Sequence, residues 1–236
     1  MMILKMIDIH THILYNIDDG AATLDDSLNL IKLEIEDDAD AIVLTPHFDP
    51  YYDSVDEFIE KRDNIYNVLA GKTADKCVKL YAGSEVFYSE MLLYYSSMKP
   101  LCFSQKKNLL VEFNIYQNFD KEFFDDFARF IRKFSVIPII AHVESYEQIR
   151  KNYRILNKFR ELGCIIQINA DHLLDSVNDK FFAKLFKNTL VDIVATDCHD
   201  TVRRPPKLKP AMELVRNVYG EEYYSFIMNN QNKIIY

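Results

Sequence analysis

Glycine is scarce, with only 5 in 236 residues. That argues against a loop-rich fold. With no Gly-x-Gly-x-x-Gly and no Walker-type lysine loop, a glycine-cradled nucleotide site is not expected. Cysteine is equally sparing. The 4 cysteines, Cys77, Cys102, Cys164 and Cys198, form no Cys-x-x-Cys pair, which removes zinc-knuckle and thioredoxin readings. Three of them sit in or beside apolar runs, as ordinary buried thiols do. No apolar run approaches the roughly 20 residues of a membrane span. The opening Met-Met-Ile-Leu-Lys-Met-Ile-Asp lacks the long apolar region and cleavage site of a signal peptide. A cytoplasmic protein with reduced thiols and no membrane insertion is therefore expected. A net charge of −8 makes a nucleic acid a poor partner for the surface as a whole.

What remains is a chain that is 49% hydrophobic, enough for one domain over 1–236 with a full core. Apolar, strand-like runs fall at 3–9, 41–45, 78–82, 109–111, 136–141, 164–168 and 191–195. Helical stretches separate them. Thr23 and Asp26 offer a capping box for a helix with Leu28, Ile31 and Ile35 at helical spacing. Further helices are expected over 55–69, 91–95, 122–134, 146–162, 180–186, 210–218 and 221–228. Phe123, Phe127, Phe130 and Ile131 share one side of the fourth, and Gly163 suits the end of the fifth. Near-continuous apolar strands alternating with helices indicate a parallel sheet covered by helices. Closed up, seven such units give a TIM-like (β/α)7 barrel of the α/β class.

The residues that carry chemistry fall at the strand ends. In Met6-Ile7-Asp8-Ile9-His10-Thr11-His12, the histidines are spaced so that both can reach one metal from an extended chain. Later runs end at His47, Glu85, Glu112, His142 and the pair Asp197/His199. In barrels of this type the site lies at the C-terminal ends of the strands, and every one of these groups falls there. A single His is usually an ordinary core or surface residue; the shared position is what singles out this set. The loop Asn16-Ile17-Asp18-Asp19-Gly20 adds a further carboxylate. Asp19 is favoured over Asp18, and either could instead cap the turn before Gly20. Asp8 either faces away from His10 or sits behind it; an ordinary polar residue near a strand end is an equal alternative.

The expected metal set is thus His10, His12, Asp19, His47, Glu85, Glu112, His142, Asp197 and His199. A single zinc takes about four ligands, so this set suits two or three divalent ions. Imidazole and carboxylate without thiolate suits manganese, iron or zinc. Adjacent divalent ions activate water near neutral pH and neutralise phosphoryl charge, which makes phosphoester hydrolysis the natural reaction. Amide or amidine hydrolysis is its close competitor. Arg203 and Arg204, followed by Pro205 and Pro206, help decide. The prolines stiffen the loop, and an arginine over the mouth can hold phosphate bidentately. Arg204 is the expected phosphate contact, and with Asp197 and His199 it makes up the expected catalytic group. No cysteine nucleophile is expected, since Cys198 lacks a phosphate-cradling glycine loop.

Asp-Ile-His-Thr-His, Thr-Pro-His, Gly-Ser-Glu, Val-Glu-Phe, Ala-His-Val-Glu and Thr-Asp-Cys-His resemble the metal motifs of the PHP (polymerase and histidinol phosphatase) superfamily, in an order that covers nearly the whole chain. Asp18-Asp19-Gly20, the run Tyr81 to Glu85, Ile139 to His142 and Arg204-Pro205-Pro206 look most like the bacterial capsule-associated tyrosine phosphatases of the CpsB/CapC/YwqE type. The resemblance implies a distorted seven-stranded PHP-type barrel, a three-metal site usually described with manganese, and the nine ligands above, with Arg204 on phosphate. It also implies a phosphotyrosine-bearing tail of a bacterial tyrosine autokinase as partner, in the control of capsular or exopolysaccharide synthesis. A homo-oligomer is compatible with it.

Two departures matter. The family commonly has basic residues after Thr-Pro-His, where this chain has Phe48-Asp49-Pro50-Tyr51-Tyr52. It also commonly has an arginine where this chain has Ser145. Phe48, Tyr51 and Tyr52 could wall a pocket for an aromatic ring, though local packing is the expected role. The lost basic residues keep two alternatives open. One is a phosphatase of small phosphomonoesters such as histidinol phosphate. The other is a metal-stabilised regulator that docks on the kinase without turnover.

Overall fold

The computed structural model describes residues 4–104, 106–176 and 178–236. The expected start of the first strand, at Ile3, lies outside them. Among these residues there are nine short strands, seven on the apolar runs and two, β3 and β5, just beyond them: β1 Ile7–Thr11, β2 Ala41–Leu44, β3 His47–Phe48, β4 Lys79–Ala82, β5 Glu85–Phe87, β6 Asn108–Glu112, β7 Ile137–Ile140, β8 Ile165–Asn169 and β9 Ile193–Ala195. Two runs are interrupted. Thr45-Pro46 parts β2 from β3, and Gly83-Ser84 parts β4 from β5.

All the strand pairs are parallel, in the orders β1-β2-β4 and β3-β5-β6-β7-β8-β9. Chain continuity joins the two sheets through the interrupted runs. Backbone bonds at the strand ends close the ring between β1 and β9: Asp197 N–H donates to His10 O at 2.8 Å and His12 N–H to Cys198 O at 2.9 Å. The result is a barrel whose wall is shared between the two sheets. Alternate strand residues, among them Ile7, Ile9, Ala41, Val43, Leu110, Ile139, Ile193 and Ala195, pack together in one buried cluster with Phe103 and Ile234.

The helices are α1 Leu24–Glu36, α2 Val55–Lys72, α3 Lys121–Phe134, α4 Glu147–Lys151, α5 Ile155–Glu161, α6 Ala170–Asp175, α7 Lys180–Lys187, α8 Leu208–Leu214 and α9 Glu221–Ile235. The capping box forms: Thr23 accepts from Asp26 N–H, and the Asp26 carboxylate accepts from Thr23 N–H at 2.9 Å. The buried face of α1 is Ser27, Leu30, Ile31 and Glu34, turned from the expected Leu28–Ile31–Ile35 line. Two polar residues are drawn inward because partners await them: Ser27 Oγ donates to Ile13 O, and Glu34 meets the Cys198 thiol.

The expected helix over 146–162 is two helices. Between them Asn152 leaves helical geometry at φ −141° and its side chain accepts from Arg154 N–H, the local competition with helix that asparagine offers. Gly163 does end α5, at φ +81°. The 91–95 stretch is a single 3₁₀ turn, Glu90–Tyr94. Helix α6 was not expected; it follows β8 directly. Helix α3 carries the phenylalanine face, with Phe123, Phe124, Phe127, Phe130 and Phe134 buried against Phe113, Phe159 and Tyr146. Among the described residues no helix is long and apolar enough to cross a membrane.

Candidate metal centre

Each candidate ligand hangs from the C-terminal end of a strand, or from the loop behind one. His10 and His12 leave β1, where a register shift between Asp8 and Thr11 breaks the simple alternation. Asp8 stays behind the histidines, against Glu34, and accepts from the N–H groups of His10 and Thr196, each at 3.2 Å. It ties β1 to β9 and does not enter the cluster. His47 follows Pro46, and Glu85 follows Gly83-Ser84, so the two strand interruptions present one ligand each. His142 and Asp197 sit at positive φ, +32° and +54°. A left-handed backbone at a non-glycine residue costs about 1–3 kcal/mol and clusters at functional sites.

The side chains meet in three linked groups, the ligand atoms of each lying within 4.8 Å of one another. In the first, His10 Nε2 lies 3.1 Å from Glu85 Oε2 and 3.2 Å from Asp197 Oδ1. His12 Nε2 approaches the same two oxygens at 3.2 and 3.3 Å. In the second, Asp19 Oδ1 is 3.4 Å from Nε2 of both His47 and His199, and the His12 ring stacks on His199 at 4.0 Å. In the third, His47 Nδ1 lies 3.1 Å from both Glu85 Oε2 and Glu112 Oε1. His142 stands at the edge, its Nε2 3.0 Å from Glu85 Oε1 and 3.8 Å from Glu112 Oε2. All nine expected ligands thus gather at one mouth, with Glu85, His12 and His47 linking the groups.

The adjacent aspartates divide their work. Asp18 Oδ2 accepts from His12 Nδ1 at 2.8 Å and from His47 N–H at 3.1 Å, which orients the His12 ring from behind. Asp19 faces His47 and His199 instead. The loop that carries both lies so close to β1 that a Cβ at Gly20 would stand 2.1 Å from His12 O; only glycine fits there.

Glu85 Oε2, His47 Nδ1 and His199 Nε2 are buried and have no hydrogen-bond partner among the described residues, although polar neighbours stand about 3 Å away. Buried polar atoms without a directed hydrogen bond are costly, and positive charge placed among them relieves that cost. The electrostatics of the mouth point the same way. Burial opposes charge on His47, yet contacts to Asp19 and Glu112 push it up to about 10. Burial likewise opposes charge on His142, which Glu85 raises to about 9. The closeness of His199 and His47 holds Asp19 well below the usual carboxylate range. The mouth stabilises positive charge, and its donor set of imidazole and carboxylate fits divalent ions of the manganese, iron or zinc kind.

Strand β8 supplies what the sequence reading missed. Gln167 Oε1 accepts from His142 N–H at 2.8 Å and lies 3.3 Å from His10 Nδ1. Asn169 accepts from Gln167 Nε2 at 2.8 Å and donates to Asp197 Oδ2 at 2.7 Å. Glu144 in turn accepts from Asn169 N–H and His172. The alternation Gln167, Asn169 on a strand ending at the mouth was the available signal. Arg204 reaches the site too: its guanidinium donates to Asp197 Oδ2 at 2.6 Å and is 40% exposed. Cys198 is buried, and burial followed by the charges of Glu34 and Asp8 pushes its thiol well above the usual range, so it is no nucleophile. Phe48 is fully buried, edge-on to Phe58, as expected of local packing. Tyr51 and Tyr52 stay exposed.

Fold and mouth together define a parallel α/β barrel whose strand ends carry a buried carboxylate–imidazole cluster able to hold metal. The particular kinship follows from comparison. Residues 6–236 match the model of the CpsB/CapC family, described as capsular polysaccharide synthesis, and the chain belongs to that family. It is 30% identical over 239 residues to the tyrosine-protein phosphatase CpsB of Streptococcus agalactiae serotype III, covering 96% of this chain and 97% of that one. It is 26% identical to the tyrosine-protein phosphatase YwqE of Bacillus subtilis, covering 98% and 91%. A solved structure from work on YwqE of B. subtilis and CpsB of Streptococcus pneumoniae, described as unique metal-dependent tyrosine phosphatases, superposes with a TM-score of 0.82 at 25% identity, covering 98% of this chain and 94% of that one. A TatD-family hydrolase from Entamoeba histolytica shares the fold at a TM-score of 0.58 and 10% identity, covering 100% and 99%.

Proposed function

We propose that the chain is a metal-dependent protein-tyrosine phosphatase acting on the phosphorylated tail of a bacterial tyrosine autokinase, in the cytoplasm, in the control of capsule or exopolysaccharide synthesis. The observation that carries this reading is the convergence of His10, His12, Asp19, His47, Glu85, Glu112, His142, Asp197 and His199 on one mouth, with buried donor atoms left unpartnered. We assign these nine as the ligands of two or three ions, manganese first, with iron or zinc as alternatives. Bound there, divalent ions supply activated water near neutral pH and charge neutralisation on phosphoryl oxygens.

The chain's own residues do the rest. Asp18 fixes the tautomer and orientation of His12. Gln167 and Asn169 hold His10, His142 and Asp197 in place. Arg204, now on Asp197, swings from that carboxylate to a phosphoryl oxygen and binds it by charge-assisted hydrogen bonds. Tyrosinate, with an ordinary pKa near 10, is a fair leaving group, so a strong general acid is less needed.

The test is initial rates on a phosphotyrosine peptide and on histidinol phosphate, with the protein stripped and reloaded with manganese. Turnover of the peptide, abolished by EDTA, with histidinol phosphate inert, is expected. Turnover of the small substrate alone favours the second reading, a small-phosphomonoester phosphatase. That reading draws its weight from Asp49, Tyr51, Tyr52 and Ser145, which stand where the family commonly carries basic residues.

A further inference from the structure

The chain has 6 histidines, and the mouth takes His10, His12, His47, His142 and His199. The remaining one, His172, is the third residue of α6, which leaves the C-terminal end of β8 directly after Asn169. It is therefore on the face of the barrel that carries the mouth. Three contacts lead to it from Asp197. That carboxylate turns Oδ1 to His10 and His12, and Oδ2 to Asn169 and Arg204. Asn169 N–H in turn donates to Glu144 Oε1 at 2.8 Å, and His172 Nδ1 meets the same oxygen at 3.0 Å. His172 thus stands beyond Asn169, on the side of Asp197 where Arg204 lies, and the Asp197 charge is felt there.

The pair is not an ordinary surface bridge. Glu144 is only 3% exposed, and its Oε2 has no hydrogen-bond partner among the described residues. The His172 side chain is 47% exposed. A carboxylate buried that deeply is costly, and a pair open to water on one side returns little. What the arrangement does provide is a held imidazole. Nδ1 is fixed as a donor to Glu144, which leaves Nε2, across the ring, for another group. A carboxylate that orients an imidazole whose far nitrogen is free is how a positioned histidine handles protons. The charges acting on the ring come from Glu144 on the turn after β7, Asp171 on α6 itself and Asp197 at the end of β9. Contact with Glu144 is the largest influence and lifts the imidazole above its ordinary 6.5, against the opposing effect of partial burial.

We infer that His172, held by Glu144, is the general acid of phosphotyrosine hydrolysis, its Nε2–H reaching the phenolic oxygen. The inference rests on the phosphatase reading above. As the attacking water oxygen bonds to phosphorus, the bond from phosphorus to the phenolic oxygen breaks. The electron pair of that bond stays on the phenolic oxygen and takes the Nε2 proton, so tyrosine leaves as the neutral phenol. The water gives up one proton to solvent and the neutral imidazole takes one back, which closes the cycle. Because tyrosinate can leave unaided, the gain falls at the low end for a general acid, about a hundredfold.

The test compares two substrates with the full chain loaded with manganese: a phosphotyrosine peptide and 4-nitrophenyl phosphate, whose leaving group is far more acidic than tyrosine and needs a proton far less. In His172→Gln, kcat on the peptide should fall about a hundredfold, and the fall on 4-nitrophenyl phosphate should be at least about tenfold smaller. The rise in melting temperature on adding manganese should match that of the parent. In the parent, kcat on the peptide should decline as pH rises past the pKa of His172. That limb should vanish in His172→Gln and move to lower pH in Glu144→Gln, whose amide does not hold the ring charged. Equal losses on both substrates, a peptide rate unmoved by His172→Gln, or a limb that survives in it overturns the inference and leaves the phosphatase reading standing. No turnover of either substrate by the parent sinks that reading, and the inference with it.

Discussion

The barrel mouth and the phenylalanine layer beside it are both buried, and they are built on opposite principles. Around Phe113, rings of Phe119, Phe123, Phe127, Tyr146 and Phe159 pack at 5.3 to 5.7 Å, mostly edge to face. Their polar demands are few: the Tyr146 hydroxyl simply accepts from Phe113 N–H at 3.0 Å. A few ångströms away, five imidazoles and four carboxylates crowd together with buried atoms unpartnered and two backbones in left-handed strain. Such a cluster is expensive to fold without a cation. The layer holds the barrel together; the mouth spends stability for chemistry. Each half should therefore be breakable without the other.

The largest expected effect is at the mouth. Losing a proposed ligand outright, in Asp197→Ala, should cost more than the roughly hundredfold upper range of an outer-shell loss. Circular dichroism should stay native, and the rise in melting temperature on adding manganese should shrink. An unfolded variant, or one with normal rates, breaks the comparison. The mirror experiment is Phe127→Ala. It should lower unfolding free energy by about 3–5 kcal/mol while rates per folded molecule stay within about twofold of the parent; denaturant titration with parallel assays decides.

A smaller effect is expected just behind the mouth. Asn169→Ala removes the donor to Asp197 and should cost about 10–100-fold in activity or metal affinity, with a stability loss too small to explain it. The smallest concerns Glu34, buried behind β1. Burial first, then the Asp8 charge, holds its carboxyl well above the ordinary value of 4.5. A raised acid favours the folded state only while protonated. Its contribution is therefore complete below the ordinary pKa and is lost as pH rises towards the folded one, at most about 1.4 kcal/mol per pH unit. Glu34→Gln cannot ionise, and its amide can still donate to Asp8. The melting temperature of the variant should gain on that of the parent between pH 5 and pH 8; parallel curves would falsify the assignment.

Legibility followed the range of the interaction. The strand-end rule brought His10, His12, His47, Glu85, Glu112, His142, Asp197 and His199 to one place because parallel connectivity puts all C-terminal ends together, whatever the side-chain details. The capping box at Thr23 and the stop at Gly163 were readable because caps are local. The buried face of α1 was not, since Ser27 and Glu34 turn inward only when Ile13 and Cys198 arrive from distant positions. Gln167 and Asn169 looked like ordinary strand polar residues until their partners were in view.

By itself, then, the sequence determined the alternation of strand and helix, the metal-type chemistry of the strand ends and the membership of a capsule-associated phosphatase family. Those follow from periodicity, residue type and order, all of which are properties of the chain. Only the tertiary structure decided that Asp18 backs His12 while Asp19 meets His47 and His199, and where Asp8 turns. Each of these depends on which residues remote in sequence stand within about 3 Å, a distance that only the folded barrel sets.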